Sequence, residues 1–85
     1  RPHCPDEKKE SVIQAVHEAL KPHYSINDVD GIRITFERGW GLLRQSNTEP
    51  VLSLRFEGQT EVDALEYKRI VREALVKAYP EVEDF

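Results

Sequence analysis

Ile32-Arg33-Ile34-Thr35-Phe36-Glu37-Arg38-Gly39-Trp40-Gly41-Leu42-Leu43-Arg44-Gln45-Ser46-Asn47-Thr48-Glu49-Pro50-Val51-Leu52-Ser53-Leu54-Arg55-Phe56-Glu57 is the stretch from which the fold of this chain can be read. Ile32, Ile34 and Phe36 alternate with Arg33, Thr35 and Glu37, the period of a strand with one face on a core. Leu52, Leu54 and Phe56 repeat the pattern against Ser53, Arg55 and Glu57. Glu37-Arg38-Gly39 makes a reversal in which Gly39 is free to take positive φ. The next strand runs from Trp40 to about Gln45. The polar run that follows is a turn at a strand end: Pro50 lacks an N–H and biases Glu49 away from helix. Three antiparallel strands result.

Helical periods flank them. Pro5-Asp6 reads as a helix start, with Asp6 as N-cap and Glu7 in the first turn. Val12, Ile13, Val16, Ala19 and Leu20, spaced by three and four, give an amphipathic helix with one buried face. Lys8, Lys9, Gln14, Glu18 and Lys21 are assigned to water, and His17 to the border. Pro22 ends the helix near Lys21. His23 to Asp30 reads as a connection with Tyr24 and Ile26 tucked inward, and Asp28-Val29-Asp30-Gly31 as a turn into the sheet. After Gly58-Gln59-Thr60, Thr60 and Asp63 resemble a capping box with Asp in place of Glu or Gln. A second helix runs to about Ala78, with Ala64, Tyr67, Val71, Ala74, Leu75 and Ala78 on one side and Ile70 widening it. Glu61, Glu66, Lys68, Arg69, Glu73 and Lys77 oppose them, and Pro80 ends it.

The expected fold is α+β: a small antiparallel sheet with two helices packed on one face, which buries both apolar helix faces. Arg1 to Cys4 reads as the remnant of a fourth strand, truncated at the front. The opposite sheet face carries Arg33, Thr35, Ser53, Arg55 and Glu57, facing solvent or another domain. Residues 1–85 are read as one domain, with 81–85 an acidic C-terminal tail.

Twelve Lys and Arg against 16 Asp and Glu leave a formal charge of −4, which argues against nucleic acid as a partner unless a basic patch is local. The single cysteine, Cys4, has no companion at metal-ligand spacing, and His3, His17 and His23 are scattered, so no metal site is assigned. No long apolar run offers a membrane span or signal peptide. The abrupt start at Arg1-Pro2-His3-Cys4-Pro5 suggests a cut inside a longer polypeptide or a processed product.

No catalytic residue is assigned either. Ser46 has no placed histidine, Asp28 with Asp30 and Glu81, Glu83 and Asp84 lie in connecting or terminal segments, and Gly39-Trp40-Gly41 sits in a hairpin rather than between strand and helix. Binding remains. Arg44, Ser46, Asn47 and Thr48 gather a guanidinium fork, two hydroxyls and an amide within a few residues, a donor set suited to phosphate. The plainer alternative is that Ser, Asn and Thr hydrogen-bond their own backbone as turn formers.

At these residues the sequence becomes specific. The nineteen residues from Gly39 to Glu57 resemble the C-terminal domain of the alpha-D-phosphohexomutase superfamily, nearest to its bacterial phosphomannomutase/phosphoglucomutase branch. The family's phosphate-binding loop is an arginine, a variable residue, then Ser-(Asn or Gly)-Thr, usually before proline. The resemblance implies a TBP-like fold and gives Arg44 the substrate phosphate, with Ser46, Asn47 and Thr48 completing the clamp. Gly39, Gly41, Glu49 and Pro50 are expected to shape the loop.

The resemblance also implies a cytoplasmic four-domain parent enzyme that interconverts hexose 6-phosphate and hexose 1-phosphate through a sugar 1,6-bisphosphate. Its phosphorylated serine, Mg2+ ligands and sugar-recognising residues belong to the other three domains, so the isolated chain is expected to be inactive. The phosphosugar and those three domains are the implied partners. Asn47, where phosphoglucosamine mutases typically have Gly, favours the mannose/glucose branch over that one. The rival reading is a stand-alone interaction or nucleic-acid module using Arg33 and Arg55. Against it stand the net charge, the expected lack of aromatics on exposed strand positions, and the interrupting Glu37 and Glu57.

Overall fold

The computed structural model describes residues 2–82. In chain order it contains α1 (Asp6–Leu20), β1 (Ser25–Asn27), β2 (Ile32–Phe36), β3 (Gly39–Gln45), β4 (Leu52–Gly58) and α2 (Glu61–Ala78). The four strands form one antiparallel sheet in sequential order, β1-β2-β3-β4. Both helices lie on one face of it. Val12, Ile13, Val16 and Leu20 of α1 and Tyr67, Val71, Ala74 and Leu75 of α2 close over Ile32, Ile34, Phe36, Leu43 and Leu52. Each fully buried Leu or Ile contributes about 1.5–3 kcal/mol relative to exposure. Most of the apolar positions read from periodicity pack in or against the core, though Ala19 is exposed, and Cys4 and Tyr79 join the core as well.

The fourth strand is Ser25–Asn27, not the front of the chain. With one apolar residue between two polar ones it is too short to show a period. Its pairing supplies what the sequence lacks: Ile26 lies opposite Ile34, on the core face of β2. The segment before α1 makes a single bridge, His3 to Val51, at the outer edge of the sheet. Cys4 N–H donates to the Pro50 carbonyl at 2.7 Å and Leu52 N–H to that of Pro2 at 2.9 Å. Pro2 and Pro5 bracket this bridge and offer no N–H of their own, so the pairing goes no further. Residues 83–85 of the acidic tail, and Arg1, lie outside the described residues.

Two local expectations also change. Pro5, not Asp6, is the N-cap of α1, and no side chain caps it. Asp6 is already helical and its carboxylate turns to Lys9, 2.7 Å away. At the β2–β3 hairpin, Glu37 and Arg38 form the connection, and Gly39 is the first residue of β3, without positive φ. Glycine is needed there for close approach: a Cβ would stand 1.9 Å from the Glu57 carbonyl oxygen. Gly41 is buried beneath Phe56 and Phe36, whose ring atoms would lie 3.1–3.3 Å from a Cβ.

The hairpin tip is tied to α2. Arg38 N–H donates to Tyr67 Oη at 2.8 Å, and its Nε donates to Asp63 Oδ2 at 2.8 Å. Phe36 stacks on Tyr67 with ring centroids 4.2 Å apart. Thr60 caps the helix as expected, its Oγ1 accepting from Asp63 N–H at 3.1 Å.

On the helix-free face the expectation about aromatics needs correcting. Trp40 lies opposite Thr35 and Glu57, both exposed, so alternation from the buried Gly41 turns its ring outward. The Arg33 guanidinium covers it at 4.6 Å from the ring. A tryptophan next to a hairpin glycine carries no sign of which face it takes; only the register decides that.

Candidate functional site

The start of β2 lies beside the end of β3, since Ile32 pairs with Leu43. The β1–β2 turn and the β3–β4 loop therefore share one end of the sheet, and α1 begins there too. Arg44 is the second-last residue of β3. Its neighbour Leu43 is fully buried, so alternation sends the Arg44 side chain to the open face, beside Ser53 and half exposed. Its Nη1 lies 3.1 Å from Asp30 Oδ2.

Gly31 makes that meeting possible. It has the one positive φ among the described residues, +72°, and a Cβ on it would lie 2.6 Å from Arg44 Cβ and 2.4 Å from the Leu43 carbonyl oxygen. Glycine lets the turn close onto the end of β3. In so doing it carries Asp30 to the arginine.

After Gln45 the chain folds on Ser46. Its N–H donates to the Val51 carbonyl at 3.2 Å, and its Oγ accepts from Thr48 N–H at 3.3 Å and Glu49 N–H at 3.2 Å. The turn-former alternative thus describes part of what Ser46 does. Asn47 and Thr48 are exposed at the tip. Arg44, Ser46, Asn47 and Thr48 together line a cleft of about 230 Å³ with Asp30, Gln45 and Ser53.

The other residues expected to shape the loop lie further off. Glu49 and Pro50 form its exit, where the Glu49 carbonyl accepts from Val51 N–H at 2.8 Å. Gly39 and Gly41 sit toward the opposite end of β3 and serve the sheet packing described above.

One residue assigned to water belongs here instead. Lys9 is 2% exposed, and its Nζ donates to the carbonyls of Ser46 at 2.8 Å and Glu49 at 2.7 Å, alongside its pair with Asp6. A signal for this was present. Position 9 precedes Val12, Ile13 and Val16 by three, four and seven residues, the buried stripe of α1; residue type alone had placed it outside.

A larger cleft of about 700 Å³ lies between the C-terminal parts of α1 and α2, lined by Leu20, His23, Tyr24, Ile70 and Ala74 among others. Its walls are mainly apolar, with Arg72, Glu73 and Lys77 also lining it. Among the described residues, no group of three or more His, Cys, Asp or Glu side chains is placed to hold a metal ion, and no helix is long and apolar enough to cross a membrane. Among the described residues, the cleft at the sheet end is where Arg44, Ser46, Asn47 and Thr48 come together.

Residues 3–74 match the family of phosphoglucomutase/phosphomannomutase C-terminal domains. The chain belongs to this family. It is 38% identical over 79 residues to a phosphomannomutase/phosphoglucomutase of Pseudomonas putida, covering 92% of this chain and 17% of that protein. A probable phosphoglucosamine mutase of Methanothermobacter thermautotrophicus is 42% identical over 66 residues, 72% of this chain and 15% of the relative. A crystal structure of a phosphoglucomutase/phosphomannomutase family protein from Burkholderia thailandensis superposes with a TM-score of 0.76 at 30% identity, over 87% of this chain and 17% of that one. The chain therefore spans about a sixth of the length of these relatives. It is a C-terminal domain of the alpha-D-phosphohexomutase superfamily, and its four-stranded open sheet with two helices on one face is a TBP-like α+β fold.

Proposed function

We propose that this domain binds the substrate phosphate and closes the active site of a phosphohexomutase. The parent enzyme interconverts hexose 6-phosphate and hexose 1-phosphate, of mannose, glucose or both, through a sugar 1,6-bisphosphate. The convergence of Arg44, Ser46, Asn47 and Thr48 on one cleft supports this reading most directly.

Arg44 presents a planar fork that takes two phosphate oxygens at once, and each charge-assisted bond contributes roughly 1.5–3 kcal/mol. On binding, phosphate replaces Asp30 as the partner of the guanidinium. The Thr48 and Ser46 hydroxyls, the Asn47 amide and the Asn47 backbone N–H serve the remaining oxygens. None of these groups moves a proton. Their task is to hold the phosphate that does not react, so that its binding energy positions the one that does. Because the bisphosphate presents either end in turn, the loop has to read phosphate and little of the sugar.

Among the described residues no His, Cys, Asp or Glu group is placed to hold Mg2+; the ion and the reacting serine are assigned to the rest of a cytoplasmic parent protein, and no step in this domain runs through it. The phosphosugar and the three other domains of the parent are the proposed partners. The phosphoglucosamine mutase relative keeps that branch open as a second reading.

The test is Arg44→Ala in the full-length protein. It should lower kcat/KM about 100-fold for both the 1-phosphate and the 6-phosphate, as the loss of one to two charge-assisted bonds requires. An effect under twofold on either substrate would sink the proposal. A nucleic-acid role for the open face, with Arg33, Arg55 and Trp40, would instead show as salt-dependent duplex binding at low ionic strength.

A further inference from the structure

Lys9 is a buried cation that the phosphate clamp as described does not use. An ammonium has three donors, and three acceptors meet it: the Asp6 carboxylate and the carbonyls of Ser46 and Glu49. Its position on the α1 stripe is one where Leu or Met would pack without the cost of desolvating a charge. The two loop carbonyls lie 37 and 40 residues away in sequence and bracket the tip, Asn47-Thr48.

We infer that Lys9 is a positioning residue of the anion site, setting the loop from below so that its donors face the cleft; this rests on the phosphate reading of that loop. Peptide geometry makes the connection. The described peptide bonds include no cis bond, so a C=O and the N–H of the same peptide point opposite ways. With the Ser46 carbonyl held on Lys9, the Asn47 N–H of that peptide is turned away from α1, toward the outer side of the loop. The second anchored carbonyl belongs to Glu49, whose peptide continues into Pro50 and carries no N–H. The ammonium thus pulls down two carbonyls and diverts no donor from the tip.

The experiment is an inorganic phosphate titration of the chain followed at the amides of Ser46, Asn47, Thr48 and Glu49, with Lys9→Met, Lys9→Arg and Arg44→Ala compared. Lys9→Met keeps the volume and removes the anchor. It should retain the dispersed core spectrum while phosphate affinity falls about tenfold, and Lys9→Arg should recover part of the loss. Affinity within twofold of the parent in a folded Lys9→Met, with Arg44→Ala weakened, overturns the role of Lys9 and leaves the phosphate reading intact. Absence of shifts at Ser46, Asn47 and Thr48 in the unmutated chain, even at high phosphate, overturns the reading itself and this inference with it. If Lys9→Met does not fold, the unmutated chain decides. Its Lys9 ammonium protons should exchange slowly and shift as phosphate is added; failure of either overturns the inference.

Discussion

Asp30 illustrates how a single residue can change meaning once its neighbour is known. In the sequence it belongs to an acidic turn; in space it lies 3.1 Å from Arg44, the arginine proposed to take phosphate. Both side chains are well exposed, so the pair is weak and screened by salt. On the proposed reading, phosphate then has to compete with a carboxylate already paired to Arg44. Asp30→Asn is therefore expected to strengthen inorganic phosphate binding about threefold at low ionic strength, with the gain shrinking as salt rises. Isothermal titration at two salt concentrations checks it, and weaker binding by the variant would show that Asp30 holds Arg44 in place rather than opposing the ligand. Ser46 is double in the same way, since one oxygen both folds the turn and faces the cleft.

Among the elements, the β2–β3 hairpin and its clasp on α2 set the end of the sheet opposite the loop. Gly39→Ala would push a methyl to 1.9 Å from a backbone oxygen in β4. Backbone cannot yield there without breaking the β3–β4 register, so a loss of about 2–3 kcal/mol is expected in urea unfolding. The clasp also carries a pH signature. Arg38 holds the Asp63 carboxyl below its ordinary 3.8, with help from Thr60. A carboxyl with a lowered folded-state pKa stabilises the fold at pH values above the unfolded value, and the contribution fades as pH falls through the folded one. Asp63→Asn should thus be destabilising at neutral pH, with the gap to the unmutated chain closing in acid strong enough to protonate Asp63 in the folded state. A gap of equal size at both would mean that the charge on Asp63 contributes nothing.

At the scale of the whole molecule, the proposed role is a grip on phosphate that leaves the chemistry to the rest of the parent protein. Among the described residues no group of three or more His, Cys, Asp or Glu is placed to hold a metal ion. The chain alone is expected to show no mutase turnover above background with either hexose phosphate, measured by coupled assay. It is also expected to hold hexose phosphate weakly, since the proposed function assigns the remaining contacts to the rest of the parent protein. Turnover by the chain would require a nucleophile that nothing here identifies.

Much of this was legible in chain order. Arg44, Ser46, Asn47 and Thr48 are neighbours, and period two in the flanking strands puts their loop at a strand end whatever the helices do. The two helices, their buried stripes and the Thr60 cap follow from local spacing in the same way. What periodicity could not supply was everything that depends on elements meeting across the fold. The strand Ser25–Asn27 exists because β2 has an edge to pair with, and Trp40 faces outward because register places it opposite Thr35 and Glu57. Lys9 and Asp30 join the site from 37 and 14 residues away in sequence. A charged side chain on an apolar stripe is a contradiction within its own helix. It is resolved only by the tertiary fold, which brings backbone acceptors to meet its donors and so makes burial of the charge tolerable.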